Sequence, residues 1–502
     1  MMAAMNMPSG NKLTLSRAGA QGVWEIFRRI SRIPRCSKQE QRIIAWLREF
    51  AEKRNLPCRC DELGNTVIEL PATAGCEGQS GIVIQSHVDM VCEKTPDSEH
   101  DFSTDAIKLV EKDGWVCADR TTLGADDGIG VALALGLAEE KDLAHPKLEL
   151  LFTVDEETGL TGAGSLKPGF VTGKYLVNLD GENESFIVGC AGGEQTVISL
   201  KLESSAVPES YRCYTLQLAG LRGGHSGIDI DKKRANAIRL LAGVVAGLKK
   251  SCDLRICSVN GGRAQNAIPR DAKALVCLEP GSYGKLTNAL DKIRAGLKKD
   301  FAETEPDLKI ELNSRAESHC AKAFSDAFAD RVTELLLTLP DGVYGFTDKF
   351  NGVVETSSNV ANVRTDRERG ILEIIISQRS FEPARLDEIT EKVASTAKRA
   401  GAKAVTTGRY PGWRPDVDSA LLAGARKVYA ELFGTEPQVK VVHAGLECGI
   451  IGEKCGPMEM LCVGPTIENP HSPAERVEIG SVDNVREFLL RLIATLGYTK
   501  KE

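Results

Sequence analysis

In Leu151-Phe152-Thr153-Val154-Asp155-Glu156-Glu157-Thr158-Gly159, a short apolar run ends in three carboxylates and a glycine turn. A buried strand accounts for the apolar part. Glu156 and Glu157 then emerge side by side at its tip and point in different directions. One such carboxylate can bind a cation while its neighbour moves a proton. The other parts of a two-metal site lie at separate places. His87 and Asp89 follow the apolar run Ile82-Val83-Ile84, and a period of two puts both on one side of a strand. A carboxylate two residues on is suited to anchor the second ring nitrogen of a metal-binding imidazole. Asp126 and Asp127 stand in the glycine-rich turn Gly124-Ala125-Asp126-Asp127-Gly128-Ile129-Gly130, ahead of an apolar helix. Two aspartates there serve either as N-caps or, through Asp126, as a bridge between two cations. Gly124, Gly128 and Gly130 would permit close backbone approach. Asp180 ends another apolar strand, where a turn role is the ordinary one. His471 stands in a loop stiffened by Pro470 and Pro473. Together, His87, Asp126, Glu157, Asp180 and His471 form an N/O donor set that suits zinc, and also manganese or cobalt. Glu156 is left over as a base.

These residues need a scaffold that brings strand tips together. Gln21 to Lys53 reads as helices, with Val23, Ile26, Phe27 and Ile30 at helical spacing. Strands are expected at Thr66–Leu70, Gly81–Gln85, Leu148–Val154 and Tyr175–Leu179, with an apolar helix over Val131–Leu137. Apolar strands alternating with helices imply an α/β sheet covered on both faces. Open sheets of that kind place their sites at the carboxyl ends of strands, where His87, Glu157 and Asp180 fall. From about residue 190 the texture changes. Strands Tyr214–Leu221, Ala272–Leu278, Leu308–Leu312 and Ile371–Ser377 flank helices Ala235–Leu248 and Leu286–Lys299, the pattern of an inserted α+β domain. Helix Ser419–Phe433, strand Gln438–Val442 and helix Val482–Leu496 return to the first style. The expected organisation is a discontinuous catalytic domain, residues 1–190 and 401–502, with a lid domain over 191–400.

Composition removes several function classes. A formal net charge of −7 and a pI near 5.7, with no basic stripe interleaved with aromatics, argue against nucleic acid as a partner. No run of about 18 apolar residues predicts a membrane span. Met1 to Lys12 has no apolar core of a signal peptide, so a cytoplasmic location is expected. The 15 cysteines are scattered without zinc-finger spacing and read as reduced, mostly buried thiols. Gly124 to Gly130 lacks the G-x-G-x-x-G spacing and puts carboxylates where a phosphate would sit, so a nucleotide site is excluded.

The strings above occur in order with Asn178-Leu179-Asp180-Gly181-Glu182, Gly223-Gly224-His225-Ser226-Gly227, His443-Ala444-Gly445-Leu446-Glu447 and Pro470-His471-Ser472-Pro473. As a set they resemble the co-catalytic zinc metallopeptidases related to aminoacylase, and among these the aminoacyl-histidine (X-His, carnosinase-like) dipeptidases. The resemblance covers nearly the whole chain. It implies a zinc-peptidase-like catalytic domain, a mixed sheet flanked by helices, with an inserted α+β lid. It further implies two divalent metal ions, most simply Zn2+, with Co2+ or Mn2+ as alternatives. His87 and Asp180 would bind one, Glu157 and His471 the other, and Asp126 would bridge them beside a cis Asp126–Asp127 peptide. Asp89 would orient His87 and Glu156 would be the general base. His225, Asn266, Arg379 and Gly445 match the family's substrate-contacting positions. The implied reaction is hydrolysis of dipeptides, with histidine as the preferred leaving residue. A broad dipeptidase, a tripeptidase and an N-acyl-amino-acid deacylase on the same scaffold stay open, as does a non-catalytic peptide-binding relative. The family uses either a small lid that dimerises or a doubled lid that mimics the dimer, so a homodimer is one of two expected states.

Overall fold

The computed structural model describes residues 20–314, 320–348, 350 and 352–498. The expectation for Met1 to Lys12 lies outside the described residues. The chain divides into two compact units. The first comprises Met1–Val188, Pro415–Lys440 and Glu447–Glu502; the second comprises Gly189–Arg414 and Val441–Leu446.

The first unit is built on an eight-stranded mixed sheet. Its order is Cys58–Cys60, Thr66–Leu70, Leu148–Thr153, Ile82–His87, Tyr175–Asn178, Glu459–Cys462, Phe186–Cys190, Val439–Val442. Ile82–His87 runs parallel to both Leu148–Thr153 and Tyr175–Asn178, and every residue of the first two is buried. Burial on both faces is why these strands read as unbroken apolar runs, each large aliphatic side chain contributing about 1.5–3 kcal/mol. The helix Gln21–Ile30 buries Val23, Trp24, Ile26, Phe27 and Ile30 and packs on Ala125–Gly136, a helix almost entirely enclosed. A separate four-stranded sheet joins Ile467–Glu468, Arg476–Glu478, Trp115–Ala118 and Leu109–Lys112. Its first two strands form an antiparallel hairpin with His471 in the connecting loop.

The second unit is an antiparallel nine-stranded sheet. Along it run Lys309–Ser314, Arg212–Ala219, Ala272–Leu278, Leu254–Gly261, Val354–Asp366, Ile371–Ser380, Gly192–Lys201 and Lys403–Tyr410, and Gly342–Phe346 pairs with Val354–Asp366 off this path. Helices Ala237–Lys249, Tyr283–Asp300, Asp326–Thr338 and Pro383–Arg399 supply apolar side chains to its core with the sheet's alternate residues. Asn236 caps the first of these helices by accepting from the Ile238 and Arg239 amides at 3.0 and 3.4 Å. The unit extends past residue 400 because Lys403–Tyr410 is hydrogen-bonded to Gly192–Lys201 as the sheet's last strand. The sequence reading of reduced thiols differs from the structure at two pairs. Cys36 is joined to Cys92 and Cys213 to Cys277, across 56 and 64 residues, separations that carry no sequence signature.

Candidate active site

Three neighbouring parallel strands deliver the first group of side chains. His87 is the last residue of Ile82–His87; Glu156 and Glu157 follow Leu148–Thr153; Asp180 follows Tyr175–Asn178. His87 Nε2 lies 3.1 Å from Asp126 Oδ1 and 3.5 Å from Asp180 Oδ1. On the far side of the same carboxylate, His471 Nε2 lies 3.1 Å from Asp126 Oδ2 and 3.0 Å from Glu157 Oε2. Asp126 therefore faces two histidine-containing groups, one with each oxygen. The donor atoms of His87, Asp126 and Asp180, and those of Asp126, Glu157 and His471, each fall within 4.8 Å of one another. Glu156 also comes within that range of His87 and Glu157.

Asp89 secures two of these tips at once. Its Oδ1 is 3.3 Å from His87 Nδ1 and accepts the Glu156 amide at 3.0 Å. Its Oδ2 accepts from Ser37 Oγ at 2.7 Å and from the Glu157 amide at 3.3 Å. A carboxylate on Nδ1 keeps the proton there and leaves the Nε2 lone pair to face Asp126 and Asp180. Burial opposes ionisation of Asp89, yet its bonds to His87 and Ser37 hold it down at about 2.

The donor set fits cations on electrostatic grounds. Asp89, Asp126, Glu156, Glu157 and Asp180 outnumber the two imidazoles and the Arg35 guanidinium near them, and Glu157 Oε1 is buried with no hydrogen-bond partner. Burial alone would lower the His471 imidazole, but Asp126 and Glu157 outweigh it and raise it to about 11. His87 is likewise raised well above its usual range, because Asp180, Asp126 and Asp89 overcome the effect of burial. Asp180 is raised to about 8, first by burial and then by the charge of Asp126, with His87 pulling the other way. Glu156 is raised well above its usual range by burial, with Glu157, Asp180 and Glu447 adding to it. Such an excess of buried negative charge is what divalent cations neutralise.

The Asp126–Asp127 peptide is cis. Asp127 accepts the His87 amide through Oδ2 at 3.1 Å and so ties the turn to the strand tip. The glycines of this turn give way to protein side chains. A Cβ at Gly130 would stand 2.1 Å from Asp127 Oδ1, and one at Gly128 2.5 Å from an Arg35 guanidinium nitrogen.

The second unit holds the remaining candidates. His225 Nδ1 accepts the Gly227 and Ile228 amides, both at 3.2 Å, so in the neutral ring the proton sits on Nε2. Asn266 adjoins it: its carbonyl accepts the Ser226 amide at 2.7 Å, and Ala267 pairs with His225. Arg379 donates to the Tyr410 hydroxyl at 2.7 Å and pairs across the sheet with Ser357, whose hydroxyl is 2.7 Å from His443 Nε2. Burial, then the charges of Arg379 and His225, lowers His443 to about 3. Gly445 is half-buried in the segment between Val439–Val442 and the helix Glu447–Cys455.

The sequence pattern of peptidase family M20/M25/M40 matches residues 83–495. The chain belongs to this family. It is 38% identical over 481 residues to the cytosol non-specific dipeptidase of Escherichia coli K12, covering 95% of this chain and 98% of that one. It superimposes on the aminoacylhistidine dipeptidase of Vibrio alginolyticus with a TM-score of 0.80 and 36% identity, covering 97% and 98% of the two chains. The fold is shared more distantly with the aminopeptidase PepT of Bacillus cereus, at a TM-score of 0.53 and 18% identity over 95% and 99% of the chains. Among the described residues, no helix of this M20 peptidase is long and apolar enough to cross a membrane.

Three buried charges escaped the sequence reading. Glu475 takes four backbone amides of the turn: Leu123 and Gly124 on Oε2 at 2.8 and 3.0 Å, Ala125 and Asp126 on Oε1 at 2.7 and 3.2 Å. Arg35 donates to the carbonyls of Val88 and Asp89, both at 2.9 Å, and to that of Gly124 at 2.5 Å. Glu447 accepts from Gln85 at 2.7 Å and Thr153 at 2.6 Å, and burial raises it to about 7. The only available signal was a charge flanked by apolar or glycine-rich sequence, which many surface residues share.

Proposed function

We propose that this M20 peptidase is a metal-dependent dipeptidase that prefers aminoacyl-histidine substrates of the carnosine kind. One observation carries the reading: Asp126 presents one oxygen to His87 and Asp180 and the other to His471 and Glu157. His87 and Asp180 would hold one divalent cation, and Glu157 and His471 the second, with Asp126 shared. Zinc is the first choice for this N/O set, with cobalt or manganese as alternatives. When bound, such a pair supplies Lewis acidity and brings the pKa of water towards neutrality.

Glu156 acts as general base. It takes a proton from the attacking water and hands it to the departing amine, restoring its own charge. Its amide, held by Asp89, fixes where the carboxylate starts from. Asp89 keeps the His87 proton on Nδ1. In the lid, His225 is held by two amides in the tautomer that can donate from Nε2 to a tetrahedral oxyanion. Arg379 serves a free carboxylate as a bidentate partner and so restricts substrates to short peptides. Asn266 and Gly445 contact the peptide backbone. The dipeptidase activities named for the Escherichia coli and Vibrio relatives support the substrate class, and the word cytosol in the first name supports a cytoplasmic location. A homodimer remains part of the proposal, to be tested by sedimentation.

The test is a substrate panel. Stripped protein is reconstituted with one and two equivalents of Zn2+, Co2+ or Mn2+. It is then assayed on β-alanyl-histidine, other X-His dipeptides, tripeptides and N-acyl amino acids. Highest kcat/KM on X-His dipeptides with two equivalents is expected. Highest kcat/KM on tripeptides or N-acyl amino acids overturns the substrate assignment; full activity with one equivalent overturns the paired-cation assignment.

A further inference from the structure

Four cysteines converge on one face of the lid sheet, none of them among the candidate peptidase residues. Cys213, Cys257 and Cys277 lie on the adjacent strands Arg212–Ala219, Leu254–Gly261 and Ala272–Leu278, and Cys320 lies just ahead of Lys322–Phe324. Cys213 and Cys277 are direct cross-strand partners with Cα atoms 4.2 Å apart. Cys257 joins them because the pairing of its strand shifts between Ile256 and Ser258. Ile256 pairs with Val276 and Ser258 with Leu275, so Cys257 is the extra residue of a bulge. Its sulfur lies 3.3 Å from that of Cys277. The sulfurs of Cys257, Cys277 and Cys320 are all within 4.8 Å of one another, and Cys213 is bonded to Cys277.

A small apolar shell encloses the cluster, with one cation at its rim. Val207 and Ala323 wall it in, with Tyr211 and Leu275 packed alongside. One cation stands beside it: Arg367 donates to the Cys257 and Lys322 carbonyls at 2.6 and 2.9 Å, and comes within 3.9 Å of Cys320 Sγ. A tetrahedral site with metal–sulfur bonds of about 2.3 Å needs sulfur–sulfur edges of about 3.8 Å. Cys257 and Cys277, with sulfurs 3.3 Å apart, stand a little inside that edge. Four sulfurs in a tetrahedral arrangement select zinc among common divalent cations, and a guanidinium beside them offsets part of the charge of four thiolates.

We propose that Cys213, Cys257, Cys277 and Cys320 form, in the reduced protein, a four-thiolate site for a thiophilic divalent cation such as Zn2+, separate from the peptidase centre. The Cys213–Cys277 disulfide is the oxidised form of the same site. Reduction by a phosphine in water adds two electrons to the S–S bond and two protons to the sulfurs, and the phosphine takes up the oxygen. Cation binding then displaces one proton from each of the four thiols.

Cobalt reports on this site independently of the peptidase reading, because N/O ligands give no sulfur-to-cobalt charge transfer. Full-length protein is reduced with a phosphine, stripped, and titrated with Co2+. A strong near-ultraviolet charge-transfer band with the amplitude of one thiolate-bound Co2+ per chain is expected, beside the two Co2+ taken by the peptidase centre. It should be absent from the Cys257→Ser/Cys320→Ser protein and altered in Cys320→Ser, the milder change at a half-buried position. Dipeptide hydrolysis by both variants should stay within twofold of wild type. Reduced wild-type protein that binds Co2+ without the band overturns the proposal, and so does a band unchanged in Cys320→Ser. The single variant decides the matter should the double variant not fold.

Discussion

Glu156 and Glu157 are adjacent, both half-buried at one strand tip, and both within reach of His87, so exchanging Gln for each in turn separates their roles. Glu157 Oε2 is 3.0 Å from His471 Nε2, and that imidazole meets the Asp126 oxygen that His87 does not. Glu157→Gln therefore removes a charged ligand from the second cation position and should lower the metal content from two equivalents towards one. Glu156→Gln keeps shape and the amide bond to Asp89, so both equivalents should stay bound. Loss of a positioned base costs roughly 10²–10⁴-fold in rate. The upper part of that range applies here because neighbouring carboxylates are engaged elsewhere. Glu447 is held by Gln85 and Thr153, and Asp155 by Thr158 and Thr161. A fall in kcat of about 10³–10⁴-fold is expected, about 4–5.5 kcal/mol of barrier. The assay is turnover of β-alanyl-histidine beside metal analysis of the same preparations. If Glu156→Gln loses a metal while Glu157→Gln keeps two, the roles are the reverse. If Glu156→Gln retains turnover within tenfold of wild type, it is not the base.

Three further outcomes follow from the same contacts. Asp89→Asn puts an amide where His87 and two backbone N–H groups need an acceptor. Metal affinity should drop 10–100-fold by chelator competition, and an unchanged affinity refutes the anchoring role. Glu475→Ala strips the acceptor from the amides of Leu123, Gly124, Ala125 and Asp126 and should cost on the order of 3 kcal/mol or more in urea unfolding; a loss below about 1 kcal/mol would show that water replaces it easily. His443 is held neutral, at about 3 against an ordinary 6.5. The unfolded chain therefore takes up its proton first as the pH falls, and stability drops from about pH 6.5 downwards. At pH 5.5 this part amounts to about 1.4 kcal/mol. The difference in unfolding free energy between pH 7.5 and 5.5 should shrink by about that much in His443→Asn, and equal differences in the two proteins refute it.

What the sequence disclosed depended on local pattern. Apolar runs ending in His87, Glu157 and Asp180 marked buried strands and placed the three tips at carboxyl ends, and the observed strands Ile82–His87, Leu148–Thr153 and Tyr175–Asn178 put them there. The helix expected over Val131–Leu137 starts earlier, within Ala125–Gly136, and Asp126 and Asp127 keep a non-helical backbone at its entry. Of the lid strands, Ala272–Leu278 has the expected bounds, and Ile371–Ser380 runs on to carry Arg379 at its buried end, beyond the apolar alternation that marked its start; Gly192–Lys201, Leu254–Gly261 and Val354–Asp366 went unread. The strand Lys403–Tyr410 was missed altogether. Most of its residues are exposed at a sheet edge, so no apolar period announces it. The cysteine cluster was equally hidden, since a bulge and two cross-strand pairings bring three of its members together.

The residues that escaped notice share a physical task. A two-cation site assembled from strand tips and turns leaves many backbone polar groups without regular partners, and each buried one must be satisfied. Arg35 satisfies carbonyls of the segment after His87 and of the turn before Asp126. Glu475 satisfies the amides of that same turn from a position next to the hairpin strand Arg476–Glu478. Asp89 satisfies the amides of Glu156 and Glu157. Each therefore ties together segments that carry different candidate ligands. Such charges need only be buried and correctly aimed, which a one-dimensional pattern does not encode. Their removal should loosen the spacing between ligands before it removes any ligand.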